Sequence, residues 1–240
     1  FAGSQDTYAD NAVVQHDIAR RLHSLLTDCL GGAPLAGNVI EIGVGDGALT
    51  TLYAPTHHMG TVALWDIAGI PAQVSAAVHN ARAEQCDAEL RIRRQPSASA
   101  AFILSTSTLQ WFNSPKAFLH ECSRVLIPGG WLAISTFARG NLHELASVLG
   151  SGLEVPSGDA WQTMFPDDLE VCVRTEEDMT LTLGSPRDVL RHLSHTGVNA
   201  VRYGRSPVVL ARHILTSYPR DNEGRCPLTF RPIYIIARKV

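Results

Sequence analysis

The sequence has no apolar run approaching the ~18 residues that a membrane-spanning helix needs. Its first stretch, 1–15, carries two aspartates and lacks the basic-then-apolar layout of a secretory signal peptide. The five cysteines contain no Cys-x-x-Cys pair, which favours reduced thiols over a disulfide framework or a zinc site. These absences predict a cytoplasmic protein with no membrane segment and no metal.

The sequence also has little excess charge: its net charge is only −3, and a general nucleic-acid binder is therefore not expected. The distribution is uneven: residues 1–186 contain 10 basic and 20 acidic residues, whereas residues 187–240 contain 10 and 3. The C-terminal segment is thus predicted to meet an anionic partner. The alternative is that these arginines only keep exposed helices in solution.

With 240 residues and 45% hydrophobic residues, the chain can bury a substantial core. Apolar residues at helical spacing predict helices, over 12–30, 71–85, 115–126, 142–149, 186–194 and 208–217. Short apolar segments predict strands, over 38–42, 61–65, 89–93, 101–105, 131–137 and 228–237, with one strand or two over 169–183. Strand and helix alternate up to residue 137, which predicts an α/β fold with a parallel sheet and helices on both faces.

A glycine-rich turn follows the first predicted strand, where residues 39–47 read VIEIGVGDG. Gly43, Gly45 and Gly47 let the backbone turn tightly and approach a ligand closely. Dinucleotide sites have Gly-x-Gly-x-x-Gly spacing and face a pyrophosphate. The spacing here, with Glu41 two residues earlier, resembles the first motif of class I methyltransferases. That resemblance implies a Rossmann-like fold and S-adenosylmethionine as the cofactor. The acidic Glu41 would repel a pyrophosphate, but it suits a zwitterionic ligand that carries a sulfonium.

Asp66 ends the second predicted strand, about twenty residues after the turn. A carboxylate there can accept hydrogen bonds from both ribose hydroxyls, although a lone strand-end Asp is as often a helix cap. We interpret Asp66, the adjacent Ile67 and Ser105 at the end of the fourth predicted strand as further cofactor contacts.

Gln110 and Trp111 come just after the fourth predicted strand. Sheets of this kind bind ligands at the carboxyl ends of their strands, so we expect this loop to face the transferred methyl group. An aromatic ring beside a sulfonium provides cation–π stabilisation. The alternative is that Trp111 and Phe112 only fill the core.

Stretches along the whole chain resemble the malonyl-[acyl-carrier protein] O-methyltransferase family of biotin synthesis. They are 6–9, 12–15, 41–47, 109–112, 135–137, 140–145, 190–193, 196–200 and 224–230. The resemblance implies transfer of a methyl group from S-adenosylmethionine to the free carboxylate of a malonyl thioester on an acyl carrier protein. A carboxylate is already ionised at pH 7, so no general base is required.

The resemblance also implies roles for particular residues. An arginine that holds one carboxylate oxygen leaves the other free to attack, and the candidates are Arg225 and Arg205. Tyr8 and Gln15 are expected to close the N-terminal helix over the cofactor. The candidate catalytic residues are Tyr8, Gln110, Trp111 and Arg225, and the candidate substrate contacts are Arg205 and Thr229.

The predicted division is a helical lid over 1–36, a Rossmann-like core over 37–140, a substrate cap over 141–227 and a final strand over 228–240.

The sequence departs from the family's pattern after the third predicted strand, where residues 94–97 offer no acid for the adenine and Ala101 replaces an expected Asp. Alternative functions are a carboxyl methyltransferase for a small diacid such as trans-aconitate and a non-catalytic binder of S-adenosylmethionine.

Overall fold

The fold is known from a computed structural model that describes residues 13–150, 155–195 and 207–240. The helices are α1 (Val13–Cys29), α2 (Thr50–Tyr53), α3 (Ala72–Ala76), α4 (Ala88–Arg91), α5 (Pro115–Val125), α6 (His143–Leu149), α7 (Gly158–Gln162), α8 (Pro186–His195) and α9 (Pro207–Ser217). The strands are β1 (Val39–Ile42), β2 (Val62–Asp66), β3 (Ala81–Gln85), β4 (Ala100–Ser105), β5 (Leu126–Phe137), β6 (Leu169–Glu176), β7 (Met179–Leu183), β8 (Cys226–Phe230) and β9 (Pro232–Lys239).

Seven strands form one sheet in the order β3-β2-β1-β4-β5-β9-β6. The central pairs are parallel, with β1 between β2 and β4, and β4 next to β5. All four residues of β1 are buried, as expected for a strand covered on both faces. The order of the strands reverses between β1 and β4, and in such sheets ligands bind outside the carboxyl ends of the strands at that point. The predicted Rossmann-like α/β fold is confirmed.

The predicted helix over 71–85 and the predicted strand over 89–93 are both wrong. Only Ala72–Ala76 is helical, the third strand is Ala81–Gln85, and Ala88–Arg91 is a helix. β3 lies at the edge of the sheet with β2 as its one partner, so its residues need no apolar alternation and instead include helix formers such as Arg82 and Glu84.

The single final strand predicted over 228–237 is also wrong, because the structure has two strands there. β8 pairs with β7 in a separate antiparallel sheet, whereas β9 belongs to the main sheet. Between them, the backbone N–H of Arg231 donates to Oδ1 of Asn141, and Pro232 has no N–H to donate. The residues predicted as one strand or two, over 169–183, are likewise two strands in different sheets.

Two compact units emerge from the contacts. One consists of Gln15–Thr136, Gly158–Thr175 and Ile233–Val240 and contains most of the main sheet, whereas the other includes the described parts of Phe137–Ser157 and Glu176–Pro232. The predicted cap over 141–227 differs from this second unit, because α7 and most of β6 pack with the main sheet. Across the described ranges, no helix is both long and apolar enough to cross a membrane.

Candidate functional site

The glycine turn after β1 is built from three glycines with positive φ, +69° at Gly43, +57° at Gly45 and +86° at Gly47. A side chain at Gly43 would place its Cβ 1.9 Å from Oγ1 of Thr108, and one at Gly47 would meet Val74 at 2.7 Å. A Cβ at Gly45 would have no heavy atom of the described residues within 4 Å. Gly43 and Gly47 are therefore required by close packing, whereas Gly45 borders open space that a ligand can occupy.

Glu41, two residues before this turn, is buried: only 2% of the residue is exposed. Its Oε2 accepts hydrogen bonds from the hydroxyl of Thr50, at 2.8 Å, and from that of Tyr53, at 2.6 Å. Burial raises the pKa of Glu41 to about 7, against the lowering effect of these hydrogen bonds. The pKa of Tyr53 is raised as well, chiefly by burial and to a lesser extent by the nearby carboxylate charge of Glu41. Glu41 thus links β1 to α2.

Asp66 is held at the carboxyl end of β2 by two backbone groups. Its Oδ2 accepts from the N–H of Gly45 at 2.9 Å, and its Oδ1 accepts from the N–H of Ala68 at 2.8 Å. Each carboxylate oxygen retains a lone pair for a further donor. The adjacent Ile67 is 68% exposed. An apolar side chain and a carboxylate are therefore neighbours at the carboxyl end of β2, beside the glycine turn.

The loop after β4 is fixed by side-chain hydrogen bonds. Gln110 donates from Nε2 to the carbonyl of Ser107, at 2.6 Å, and accepts at Oε1 from the hydroxyl of Thr136, at 2.9 Å. Both ends of its amide therefore hold the loop. The buried hydroxyl of Ser105 donates to the carbonyl of Ile42, at 3.0 Å, which ties β4 to β1. Trp111 is half-buried in the short 3₁₀ segment of this loop.

Two acidic residues that the sequence interpretation missed follow β3. Asp87 caps α4 by accepting from the N–H groups of Glu89 and Leu90. Glu89 accepts from the backbone N–H groups of Asn113, at 2.9 Å, and Ser114, at 2.8 Å, and so joins the loops after β3 and β4. Acidic residues, which the resemblance led us to expect after the third strand, are therefore present once β3 is placed correctly. An Asp before a short run of helix formers was the signal available in the sequence.

In the second unit, two stretches that carry the family resemblance meet in one buried hydrogen-bonded cluster. Thr229 donates its N–H to Oε2 of Glu144, at 3.0 Å, and its hydroxyl to Oε1, at 2.6 Å. The N–H of Leu142 donates to the carbonyl of Thr229, and Thr180 contacts its hydroxyl at 3.0 Å. The hydroxyl of Thr229, a predicted substrate contact, is thus engaged within the protein.

Arg225, a predicted catalytic residue, is half exposed and bonded to two carboxylates. Its Nε lies 3.0 Å from Oδ2 of Asp221, and its Nη1 lies 2.9 Å from Oε2 of Glu223. The predicted contacts Tyr8 and Arg205 lie outside the described residues.

Gln15, the predicted lid contact on α1, has a buried side-chain oxygen without a hydrogen-bond partner among the described residues. A buried polar atom of this kind is one that a ligand or a water can satisfy. Within the described ranges, no group of three or more His, Cys, Asp or Glu side chains is arranged to hold a metal ion.

Several basic residues of the C-terminal segment are ion-paired with acidic residues from earlier in the chain. Arg231 pairs with Glu176, at 3.2 Å, and Lys239 pairs with Asp168. The excess of positive charge in the sequence is therefore partly neutralised. Within the segment that was expected to meet an anionic partner, Arg187, Arg191 and Arg212 are exposed, although Arg191 also pairs with Asp188.

Comparisons with known proteins agree with this architecture. Residues 40–134 match the methyltransferase domain family. The chain is 28% identical over 263 residues to a malonyl-[acyl-carrier protein] O-methyltransferase of Bacteroides helcogenes, covering 99% of this chain and 96% of the relative. It is 29% identical over 246 residues to the Haemophilus influenzae protein of the same name, covering 99% and 92%.

Among solved structures, the N-methyltransferase NodS of Bradyrhizobium japonicum in complex with S-adenosyl-L-homocysteine has the same fold, with a TM-score of 0.53 and 14% identity over 92% of this chain and 86% of that one. The fold, the domain match around the glycine turn and the similarity along nearly the whole length of named relatives point the same way. The chain contains a methyltransferase domain and is similar along nearly its whole length to malonyl-[acyl-carrier protein] O-methyltransferases.

Proposed function

We propose that the protein transfers a methyl group from S-adenosylmethionine to the free carboxylate of a malonyl thioester carried by an acyl carrier protein, which provides the malonyl methyl ester used to prime pimeloyl synthesis for biotin. The observation that carries the proposal is the glycine turn, where open space at Gly45 stands next to the Asp66 carboxylate at the reversal of strand order. The names of the relatives support the substrate.

The residues at this edge fit the cofactor. Gly45 leaves room for close approach of the backbone to a ligand, and Asp66 can accept from vicinal hydroxyls. Gln15 contributes a buried oxygen that lacks a partner within the described chain. Asp87 supplies the acid after β3 that was expected near an adenine. When bound, S-adenosylmethionine supplies an electrophilic methyl group on a sulfonium.

The protein's part in such a reaction is alignment and exclusion of water, because a substrate carboxylate needs no base at pH 7. Gln110 positions the loop after β4, since both ends of its amide are used within the protein. Trp111 in the same loop offers an aromatic face of the kind that stabilises a sulfonium. Tyr8 would complete the lid over the cofactor.

We propose a substrate-binding role for the second unit. Arg225 would hold the malonyl carboxylate either through its Nη2 or by exchanging Asp221 or Glu223 for it, and Arg205 is the other candidate. Thr229 would act by shaping this unit through Glu144. Exposed Arg187, Arg191 and Arg212 would attract an acidic carrier protein.

We also propose a cytoplasmic location, which the five free cysteines support.

Mass spectrometry of malonyl-carrier protein tests the function directly. After incubation with enzyme and S-adenosylmethionine, we expect the malonyl group to gain one methyl group. Parallel reactions with malonyl-CoA, malonate and trans-aconitate provide the comparison, and the carrier-bound substrate is expected to react fastest. Methylation of trans-aconitate alone would establish the small-diacid function instead. Binding of S-adenosylmethionine without transfer to any of the four would leave a cofactor-binding protein and contradict the proposal.

Asp66 gives a second prediction. In Asp66→Ala we expect the dissociation constant for S-adenosylmethionine to rise at least about a hundredfold, since two hydrogen bonds to a charged group are lost at ~1.5–3 kcal/mol each. Asp66→Asn keeps one acceptor and is expected to lose about tenfold. Isothermal titration calorimetry measures both constants. Thermal unfolding of the cofactor-free variants controls for the hydrogen bonds to Gly45 and Ala68. An unchanged constant in Asp66→Ala would refute the ribose role.

A further inference from the structure

A contact between α1 and the glycine turn is not used by the function proposed above. Nε2 of His16 lies 2.6 Å from Oδ2 of Asp46, which stands between Gly45 and Gly47. A carboxylate can only accept, so the imidazole N–H is the donor. The other oxygen of Asp46 accepts from the N–H of Ala48, at 3.2 Å. Asp46 therefore shapes the turn and also contacts the helix.

Burial makes this contact different from an ordinary surface pair. The side chains of His16 and Asp46 are 34% and 19% exposed, whereas those of the neighbouring Arg20–Asp17 pair on α1 are 58% and 42% exposed. Exposed ion pairs contribute little because solvent screens them and side-chain entropy opposes them. A short, largely covered hydrogen bond to a charged group is stronger.

The contact is not needed to hold α1 on the protein. Ile18, Leu22 and Leu26 of the helix are all buried in the core. Apolar burial of three such side chains is enough to anchor a helix of this length. His16 lies in the first turn of α1, next to Gln15 with its buried oxygen. What His16 decides is therefore how the start of α1 sits on the turn, rather than whether α1 folds.

We propose that His16 and Asp46 form a latch, a pair of positioning residues through which the start of α1 and the cofactor turn adopt their binding conformation together. The inference rests on the proposed function in that the ligand of the turn is S-adenosylmethionine. Occupancy of the turn and docking of the first turn of α1 are then thermodynamically linked, so each favours the other.

A double-mutant cycle tests the latch. We expect His16→Ala to raise the dissociation constant for S-adenosylmethionine about tenfold, and Asp46→Ala to raise it somewhat more because it also removes the acceptor for Ala48. The double variant is expected to raise it no further than Asp46→Ala, because both substitutions break the same contact. Asp46→Asn keeps one acceptor oxygen, which can still serve the N–H of Ala48, but loses the acceptor that faces His16, so it is expected to match His16→Ala. Arg20→Ala is the matched control on the same helix and is expected to stay within about twofold of the original protein.

Hydrogen–deuterium exchange provides a readout that a purely structural role would not move. Cofactor is expected to slow exchange of the first turns of α1 in the original protein, whereas in His16→Ala only β1 and the glycine turn should remain protected. Independent losses that multiply to about a hundredfold in the double variant, or single variants within twofold of the original protein, would overturn the latch. If the original protein itself does not bind S-adenosylmethionine, the proposed function fails instead, so the two failures are distinguishable.

Discussion

Replacement of Glu41 by Gln is expected to remove a steep pH dependence of stability. In the folded protein the pKa of Glu41 is raised from 4.5 to about 7, chiefly by burial. Between these two values the unfolded chain loses the proton while the folded protein keeps it, so the free energy of unfolding falls as pH rises. The stabilising effect of the neutral form is fully present below pH 4.5 and is lost as pH passes through about 7.

The difference between the two proteins measures this effect. Relative to Glu41→Gln, the original protein should lose about 2.5 kcal/mol of unfolding free energy between pH 5 and pH 8, most of it below pH 7. A glutamine oxygen can still accept from Thr50 and Tyr53. Urea denaturation at several pH values gives the free energies, and Glu170→Gln, at an exposed position, controls for the loss of a carboxylate as such. Parallel curves for Glu41→Gln and the original protein would show that Glu41 titrates alike in both states.

Substitution of Gly43 and of Gly45 by alanine is expected to separate folding from cofactor binding. At Gly43 the new Cβ would lie 1.9 Å from Oγ1 of Thr108, and φ is +69°. A left-handed residue costs ~1–2 kcal/mol and overpacking ~1–3 kcal/mol, so Gly43→Ala should lose about 3 kcal/mol or fail to fold. Removing the obstacle in Gly43→Ala/Thr108→Ala should recover part of that loss.

Gly45→Ala is the matched variant, because its φ is similar at +57° but its Cβ would meet no heavy atom of the described residues within 4 Å. Its stability should fall by only ~1–2 kcal/mol. Its affinity for S-adenosylmethionine should fall more than tenfold, since the alanine side chain would enter the open space next to Gly45 in which we propose that the ligand lies. Thermal unfolding and calorimetry measure the two effects. A Gly45→Ala protein that binds cofactor normally would mean that the ligand does not approach the turn at this residue.

Much of the site could be predicted from local sequence, because its parts lie close together in the chain. Strand β1 is a short apolar run that ends in glycines, and those glycines carry the positive φ angles that the turn requires. Asp66 could be placed at the end of β2 for the same reason. At the three glycines the backbone conformation itself restricts the residue type, so one sequence is enough to recognise the turn.

The errors arose where neighbours in space decide the structure. The helix prediction over 71–85 fails at β3 because this strand consists largely of helix formers such as Ala, Arg and Glu. With the third strand placed too late, Asp87 precedes that strand instead of following it. β8 and β9 were merged because an apolar run does not indicate which sheet each half will join.

The sequence by itself determined the α/β class, the glycine turn and the carboxylate after β2, since each depends on residues adjacent along the chain, and it carried the family resemblance in short separate stretches. Only the tertiary structure decided which side chains remain available to a ligand. Gln110, Thr229 and Arg225 all have hydrogen-bond or ion-pair partners within the protein, and Glu41 is buried. The contact of His16 with Asp46 spans 30 residues of sequence. Such pairings depend on how distant segments pack, and no local pattern encodes them.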